Sequence, residues 1–193
     1  SEVVSVVRAP SGQNNPKLRE LVHRDFFDFS AIANQLSDFD ACFYCLGSTS
    51  VGKTEAAYTR ITYDITVAVA NTLAPRNPNM TFVFVSGANS DSSEKGSVMW
   101  ARVKGKAENA ILNAPFKASY VFRPGLIQPI HGVKSKTPLY RIPYAILAPF
   151  VPFLLKRFPQ YVTTSEQIGR GMLIVAKQGA PKPILESEDI NKL

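Results

Sequence analysis

One eight-residue segment has the residue types and spacing of a phosphate-binding loop. Residues 47–54 read Gly-Ser-Thr-Ser-Val-Gly-Lys-Thr, between a predicted strand and a predicted helix. In such a loop backbone N–H groups surround the phosphates, Lys53 reaches the terminal pair and Thr54 binds Mg²⁺. A magnesium site also needs an acidic ligand after a later strand, and the later strands end in Ser86 and Arg123. We therefore keep a P-loop nucleoside triphosphatase only as a lower-ranked alternative function. The plainer interpretation of the segment is a polar turn between a strand and a helix.

A second set of residues combines a hydroxyl and an amine at a helical spacing. Ser86 follows a predicted strand, and fourteen positions later Trp100 and Lys104 begin the next predicted helix. A separation of four residues puts two side chains on one face of a helix. A helix lysine is usually a solvated surface residue, so the surrounding sequence has to decide whether this set is a site.

Five segments around these residues occur in an order that is specific as a set. They are Cys-Phe-Tyr-Cys-Leu-Gly-Ser-Thr at 42–49, Val85-Ser86, Val103-Lys104-Gly105-x-x-Glu108, Val-Phe-Arg-Pro-Gly at 121–125, and the closing Leu185-Glu186. Together they resemble the Tat-interacting-protein-like branch of the atypical short-chain dehydrogenases over nearly the whole chain. The resemblance implies a Rossmann-type α/β domain that binds NAD(P)(H), with oxidoreductase or epimerase chemistry on a carbonyl or sugar-nucleotide-like substrate.

The resemblance also implies a role for each matching residue. In short-chain dehydrogenases a serine orients the substrate carbonyl, a tyrosine in Tyr-x-x-x-Lys transfers the proton, and the lysine binds the nicotinamide ribose and lowers the tyrosine pKa. Ser86, Trp100 and Lys104 occupy these three positions. The other implied cofactor contacts are Leu46, Gly47, Ser48 and Thr49 at the ribose and pyrophosphate, Asp25 and Phe26 at the adenine, Arg8 at the adenosine ribose, and Arg123, Pro124 and Gly125 near the nicotinamide and substrate.

Arg8 bears on the choice of cofactor. It follows the second strand of the expected fold, where NAD-binding domains favour an acidic residue and an arginine accommodates a 2′-phosphate. We therefore expect NADP(H), with NAD kept open. An exposed surface charge is an equally good interpretation of Arg8.

Two features depart from the family pattern. Trp100 stands at the position of the catalytic tyrosine, and an indole has one N–H donor that does not titrate near neutral pH. The main alternative is therefore a non-catalytic, NADP(H)-dependent binding or regulatory protein. Tyr58 and Tyr63, on the preceding helix, are phenols whose orientation the sequence does not fix.

The second departure concerns the glycine-rich loop that binds pyrophosphate, together with the first strand and helix around it. No such βα unit stands ahead of the first predicted strand. The family's first strand is central in the strand order 3-2-1-4-5-6. We therefore expect roughly 25 to 30 further residues upstream of Ser1 that contain this strand and a Gly-x-x-Gly-x-x-Gly-like loop.

Short apolar runs alternate with longer helical patterns, which predicts a mostly parallel sheet with crossover helices. The predicted strands are 3–7, 21–22, 41–46, 81–85 and 119–122, with a short last strand within 181–185. The predicted helices are 55–73, 98–112 and 165–177, the last with Ser165 as its N-cap. Prolines interrupt 137–158, so we assign 133–163 to a Pro-rich cap or lid on one domain that spans 1–193.

Composition limits the remaining function classes. The net charge is +7, but only Lys156 and Arg157 are adjacent, so we expect no nucleic-acid partner. No apolar run reaches the length of about 18 residues that a membrane span needs, so none is expected. Cys42 and Cys45 fall on opposite faces of a strand, which favours a reducing cytoplasm over a disulfide. The expected partner is an unidentified small-molecule substrate, and a homodimer is kept open.

Overall fold

The computed structural model describes residues 2–130, 153–154 and 157–193. Most of the predicted cap, 133–163, lies outside the described residues. Within them the strands are β1 (Val3–Val7), β2 (Leu18–Val22), β3 (Ala41–Tyr44), β4 (Thr81–Val85), β5 (Ala118–Arg123), β6 (Leu126–Gln128), β7 (Val162–Thr164) and β8 (Ile184–Glu186). The helices are α1 (Glu55–Thr59), α2 (Ile65–Leu73), α3 (Met99–Leu112), α4 (Ser165–Gln178) and α5 (Ser187–Ile190), with a π turn at Arg60–Asp64 and 3₁₀ turns at Ser30–Gln35 and Ala74–Arg76.

The strand pairings in this part of the chain are parallel. One sheet has the order β3-β4-β5-β8, and β1-β2 and β6-β7 form two shorter sheets. Helical segments connect β3 to β4, β4 to β5 and β7 to β8, as crossovers between parallel strands require. The predicted α/β class with a mostly parallel sheet is confirmed.

Strand β4 is the centre of the core because both of its faces are covered. Phe82 and Phe84 pack on the side of α2 and α3, in a cluster with residues of β1, β2 and β3. Val83 points to the other face and packs with Phe122 and the apolar side of α4. Such burial on two faces is typical of a parallel strand between helix layers.

The β1-β2 pair packs against the same core as the four-stranded sheet but forms a separate sheet. Leu21 of β2 belongs to the same apolar cluster as Tyr44 of β3. No backbone hydrogen bond of the described residues joins β1 or β2 to the four-stranded sheet. Strand β3 therefore has one edge to which no strand of the described residues is hydrogen-bonded. Its Phe43 is 40% exposed, whereas Val83 in β4 is fully buried.

Several predicted boundaries need correction. The N-cap of α4 is Thr164 rather than Ser165: its Oγ1 accepts from the Gln167 backbone N–H at 3.1 Å, and the Gln167 side chain accepts from the Thr164 backbone. The predicted helix 55–73 is interrupted by the π turn at Arg60–Asp64, and β2 begins at Leu18. None of the helices in the described ranges is long and apolar enough to cross a membrane.

A close contact at Gly105 fixes how α3 meets the loop after β4. A Cβ at Gly105 would lie 1.8 Å from the Asp91 carbonyl oxygen, so only glycine allows this approach. The Asp91 carboxylate accepts the backbone N–H of Ser93 at 3.0 Å and of Gly96 at 2.7 Å, and holds its loop in shape. Loop and helix are therefore docked as one unit.

This contact predicts opposite effects for two helix glycines. Gly105→Ala should lower the free energy of unfolding by about 1–3 kcal/mol, because the loop backbone must move. Gly169→Ala, in α4, should raise it by about 0.5–1 kcal/mol, because no atom lies within 4 Å of the added methyl group. Urea unfolding of both variants measures the difference; a Gly105→Ala protein as stable as wild type would contradict the contact.

Candidate functional site

A cleft of about 470 Å³ lies beside the loop that follows β3. Its walls come from that loop, from α1 and from the first turns of α3. Carboxyl ends of parallel strands are where open α/β sheets bind their ligands. The residues that line the cleft are Gly47, Ser48, Thr49, Ser50, Val51, Tyr58, Trp100 and Lys104.

The loop is folded by its own hydrogen bonds. Gly52 has a φ of 74°, which a turn with a left-handed residue requires. The Lys53 ammonium donates to the Thr49 carbonyl at 2.7 Å, and the Thr54 hydroxyl accepts from the Ala57 N–H at 3.3 Å as the N-cap of α1.

These contacts give the P-loop hypothesis no support. The lysine and the threonine that would bind phosphate and magnesium are both engaged within the loop. The described residues contain no group of three or more His, Cys, Asp or Glu side chains that could hold a metal ion. The segment 47–54 instead forms a polar wall of the cleft.

Trp100 and Lys104 lie one turn apart on α3 and enter the cleft together, as their spacing predicts. Burial lowers the pKa of Lys104, and the carboxylate of Glu108, one turn further, offsets part of that effect. The Lys104 Nζ lies 3.7 Å from the point that a Cβ on Gly87 would occupy. It has no hydrogen bond or ion pair with any described residue, so this half-buried ammonium remains available to a ligand.

Ser86 follows β4 directly and is not one of the residues that line the cleft. Its backbone N–H donates to Phe122 O at 2.8 Å, which continues the β4-β5 pairing. Its Oγ is 3.1 Å from the Ser90 Oγ, and the Ser90 hydroxyl donates to Gly87 O at 2.8 Å. The residue after Ser86, Gly87, is the one that lies beside Lys104.

Arg123 is held by carboxylates. Its Nε donates to the Glu108 Oε2 at 3.0 Å, and its Nη1 lies 3.6 Å from the Glu186 Oε1. Burial disfavours its charge, but hydrogen bonds and the charge of Glu108 outweigh burial and raise the pKa of Arg123. Glu108 is fully buried, so this pair ties α3 to β5 and β8. The predicted contact of Arg123 with nicotinamide remains a prediction.

The next two predicted cofactor residues also make structural contacts. Pro124 O accepts from the Ala88 N–H at 2.9 Å, and the Gly125 N–H donates to the Ser187 hydroxyl at 2.8 Å. A Cβ on Gly125 would be 2.4 Å from Tyr161 O, so a larger residue would clash there. Neither residue is among those that line the cleft.

The predicted adenosine contacts lie outside the cleft. Arg8 is exposed and has no partner among the described residues. The Asp25 carboxylate accepts from the Phe27 N–H at 2.9 Å, and Phe26 packs edge-on against Phe29 with ring centroids 5.7 Å apart. Leu46 packs against the main core rather than into the cleft.

Ser50, Val51 and Tyr58 are lining residues that the site prediction did not include. Tyr58 follows the N-cap Thr54 by one helical turn, and that spacing after a strand was the available signal. The sequence alone does not show which of Tyr58 and Tyr63 faces the cleft. In the structure Tyr63 lines a different groove beside α2.

The chain is similar in structure to several solved enzymes, some of which act on nucleotide sugars. It has a TM-score of 0.62 and 12% identity to the Bordetella bronchiseptica enzyme WbmF in complex with NAD+, covering 99% of this chain and 68% of that one. It has a TM-score of 0.64 and 14% identity to UDP-N-acetylglucosamine 4-epimerase from Methanobrevibacter ruminantium M1, covering 95% and 67%. It has a TM-score of 0.61 and 16% identity to DesIV, a dTDP-glucose 4,6-dehydratase from Streptomyces venezuelae with NAD bound, covering 95% of this chain and 65% of that one.

These likenesses establish a Rossmann-like fold. No protein-family model matches the sequence, and no curated protein matches it either. The fold is therefore shown by structure alone.

The contacts of Arg123 predict a large stability effect. Arg123→Leu should lower the free energy of unfolding by about 3–5 kcal/mol, because it leaves Glu108 buried without its partner. Arg102→Leu removes the more exposed pair with Glu55 and should cost about 1 kcal/mol or less. Thermal and urea unfolding distinguish the two. Equal losses would show that Arg123 does not stabilise the fold as its contacts indicate.

Proposed function

We propose that this protein binds a nicotinamide dinucleotide in the cleft between the loop after β3 and the start of α3. The observation that carries the proposal is the convergence of Gly47, Trp100 and Lys104 in one cleft of a Rossmann-like fold. The similar structures WbmF and DesIV hold NAD. The atypical short-chain dehydrogenases remain the family that this convergence supports best.

The cleft residues fit such a ligand. Gly47 has no atom within 4 Å of a Cβ position, so a ribose or pyrophosphate can approach its backbone. The hydroxyls of Ser48 and Thr49 offer hydrogen bonds from the same loop. Lys104 would hold the nicotinamide ribose, because its half-buried ammonium has no other partner in the described part of the chain. The ligand would supply hydride transfer.

We also propose that one more strand lies between β1 and β3. The two strands belong to sheets that share a core, and no hydrogen bond of the described residues joins these sheets. The same residues leave one edge of β3 unpaired, where Phe43 is exposed. A central strand in the order 3-2-1-4-5-6 would fill this place and would present a glycine-rich loop next to Gly47. Binding is therefore tested on the full-length protein.

The reaction that fits the cleft is oxidation, reduction or epimerisation of a carbonyl or sugar-nucleotide-like substrate. Lys104 supports it because its ammonium would bind the ribose, and Ser86, which precedes the Gly87 that lies beside Lys104, would orient a substrate oxygen. Trp100 favours the second candidate, a regulatory protein that binds the dinucleotide without turnover, because its indole does not transfer a proton near neutral pH. Oxidation of NADPH in the presence of aldehydes, ketones and nucleotide sugars distinguishes the two.

Lys104 should contribute directly to dinucleotide affinity. Trp100 is the only tryptophan of these 193 residues, so its fluorescence reports on the cleft, and a reduced nicotinamide ring absorbs the light that indole emits. Lys104→Gln should weaken NADPH binding by one to two decades, the worth of about 1.5–3 kcal/mol for a hydrogen bond to a charged group. Lys106→Gln, on an exposed position of the same helix, is the control and should bind normally. Equal affinities for all three proteins would exclude the cleft as the binding site.

Arg8 should set the preference for NADP(H). An arginine beside the adenosine ribose makes charge-assisted hydrogen bonds to a 2′-phosphate, so wild type should bind NADP(H) roughly tenfold to a hundredfold more tightly than NAD(H). Arg8→Ala should abolish this preference and leave NAD(H) affinity unchanged, while Arg170→Ala on α4 changes neither. Calorimetry measures both ligands. A wild type without preference, or an Arg8→Ala protein that keeps it, would rule out the assignment.

A further inference from the structure

Tyr58 is a buried phenol on the wall of the cleft that contains Trp100 and Lys104. Its side chain is 2% exposed, yet it is one of the lining residues. Its backbone N–H donates to the Thr54 carbonyl at 3.0 Å, in the first turn of α1. The N-cap and this turn fix the position of the phenol after β3.

The surroundings of Tyr58 are polar and incompletely satisfied. Thr62, one turn further, is 8% exposed. Its Oγ1 lies close enough to the Tyr58 hydroxyl to lower the pKa of that phenol, but it makes no hydrogen bond of regular geometry among the described residues. A buried hydroxyl that the protein satisfies only in part is open to a hydrogen bond from a ligand or water. The turn that contains Thr62 is the π turn at Arg60–Asp64, and π turns within helices occur frequently at functional sites.

Lys104 is the one charged residue of the described chain that lines this cleft. On α3, Arg102 is paired with Glu55 at 2.7 Å. In the π turn, Arg60 lies over the ring of Phe27, and Asp64 lines the groove beside α2. The ammonium of Lys104 is therefore the cation available to stabilise negative charge that develops in the cleft.

We propose that Tyr58 is the catalytic proton donor of this cleft, in place of the phenol that position 100 lacks. The inference rests on the proposed function. The Tyr58 O–H bond breaks and its proton goes to the carbonyl oxygen of the substrate. That oxygen takes the electron pair of the C=O π bond as the carbon accepts a hydride from the reduced nicotinamide dinucleotide, the reductant of the proposed function. The products are an alcohol and the oxidised dinucleotide, and water returns a proton to the Tyr58 phenolate.

The Tyr58 phenol is protonated at neutral pH, as any tyrosine is, and burial extends this protonated range upward. Burial raises the pKa of Tyr58, and the neighbouring Thr62 hydroxyl offsets part of the rise. A donor acts only in its protonated form, so reduction should be independent of pH near neutrality. The rate should be lost only as the pH rises through the pKa of the phenol.

Tyr63 provides a matched control on the same helical segment. It lines the groove beside α2, and the Lys106 ammonium lies 4.3 Å from its ring centroid. The change of Tyr to Phe removes the same single hydroxyl at either position. A loss common to both variants would reflect the fold, whereas a loss confined to position 58 would reflect the cleft.

The kinetic test compares Tyr58→Phe with Tyr63→Phe in the full-length protein, with NADPH and a series of aldehydes, ketones and nucleotide sugars. Loss of a general acid should lower kcat by about 10²- to 10⁴-fold in Tyr58→Phe, with dinucleotide affinity unchanged. Tyr63→Phe should retain wild-type kcat. Wild-type turnover in Tyr58→Phe would overturn the proposal. So would a wild-type protein that binds NADPH and reduces no substrate, which leaves the binding function standing; failure to bind would contradict the proposed function itself.

A second readout needs no turnover. A phenolate close to an indole absorbs its emission, so ionisation of Tyr58 should quench Trp100, the only tryptophan. We expect a quenching step at a pH above about 10, the ordinary value for tyrosine. The step should be absent in Tyr58→Phe and present in Tyr63→Phe, with folding followed by circular dichroism. The same titration curve in wild type and Tyr58→Phe would show that Tyr58 does not titrate next to Trp100.

Discussion

The buried pair of Arg123 and Glu108 is the interaction on which the arrangement of the cleft depends. Glu108 is fully buried and belongs to α3, the helix that also carries Trp100 and Lys104. A carboxylate without solvent is stable only when it is paired and hydrogen-bonded, and Arg123 at the end of β5 provides this pairing. The rotation and height of α3 against the sheet are thereby fixed. The contact of Gly105 with Asp91 fixes the same helix against the loop after β4.

The residues of the predicted site fall into two groups in the structure. Trp100 and Lys104 reach the cleft because they lie on α3 two turns and one turn before Glu108, and Gly47, Ser48 and Thr49 reach it because their loop follows β3. Arg123, Pro124 and Gly125 share the sequence pattern but hold elements together instead. The predicted set thus contains both cleft-lining and structural residues, and the spacing of its motifs does not separate them.

Local patterns were sufficient for much of the fold. The apolar run of β4 and the helical stripe of α3 predicted both elements to within a residue, since burial on two faces or one leaves a periodic signal. The pairing of β6 with β7 joins short segments 36 positions apart, and no local pattern marks it. The choice of Thr164 over Ser165 as N-cap depends on the reach of one side chain, Gln167. The orientation of Tyr58 depends on a π turn that helix periodicity does not reveal.

Dinucleotide binding by the cleft is the central claim, and a crystal structure of the full-length protein grown with NADP+ tests it most directly. The account predicts a nicotinamide ribose hydroxyl within hydrogen-bond distance of the Lys104 Nζ, with the pyrophosphate against the backbone of 47–49. A dinucleotide bound elsewhere, or a cleft without dinucleotide in crystals grown at a saturating concentration, would contradict it.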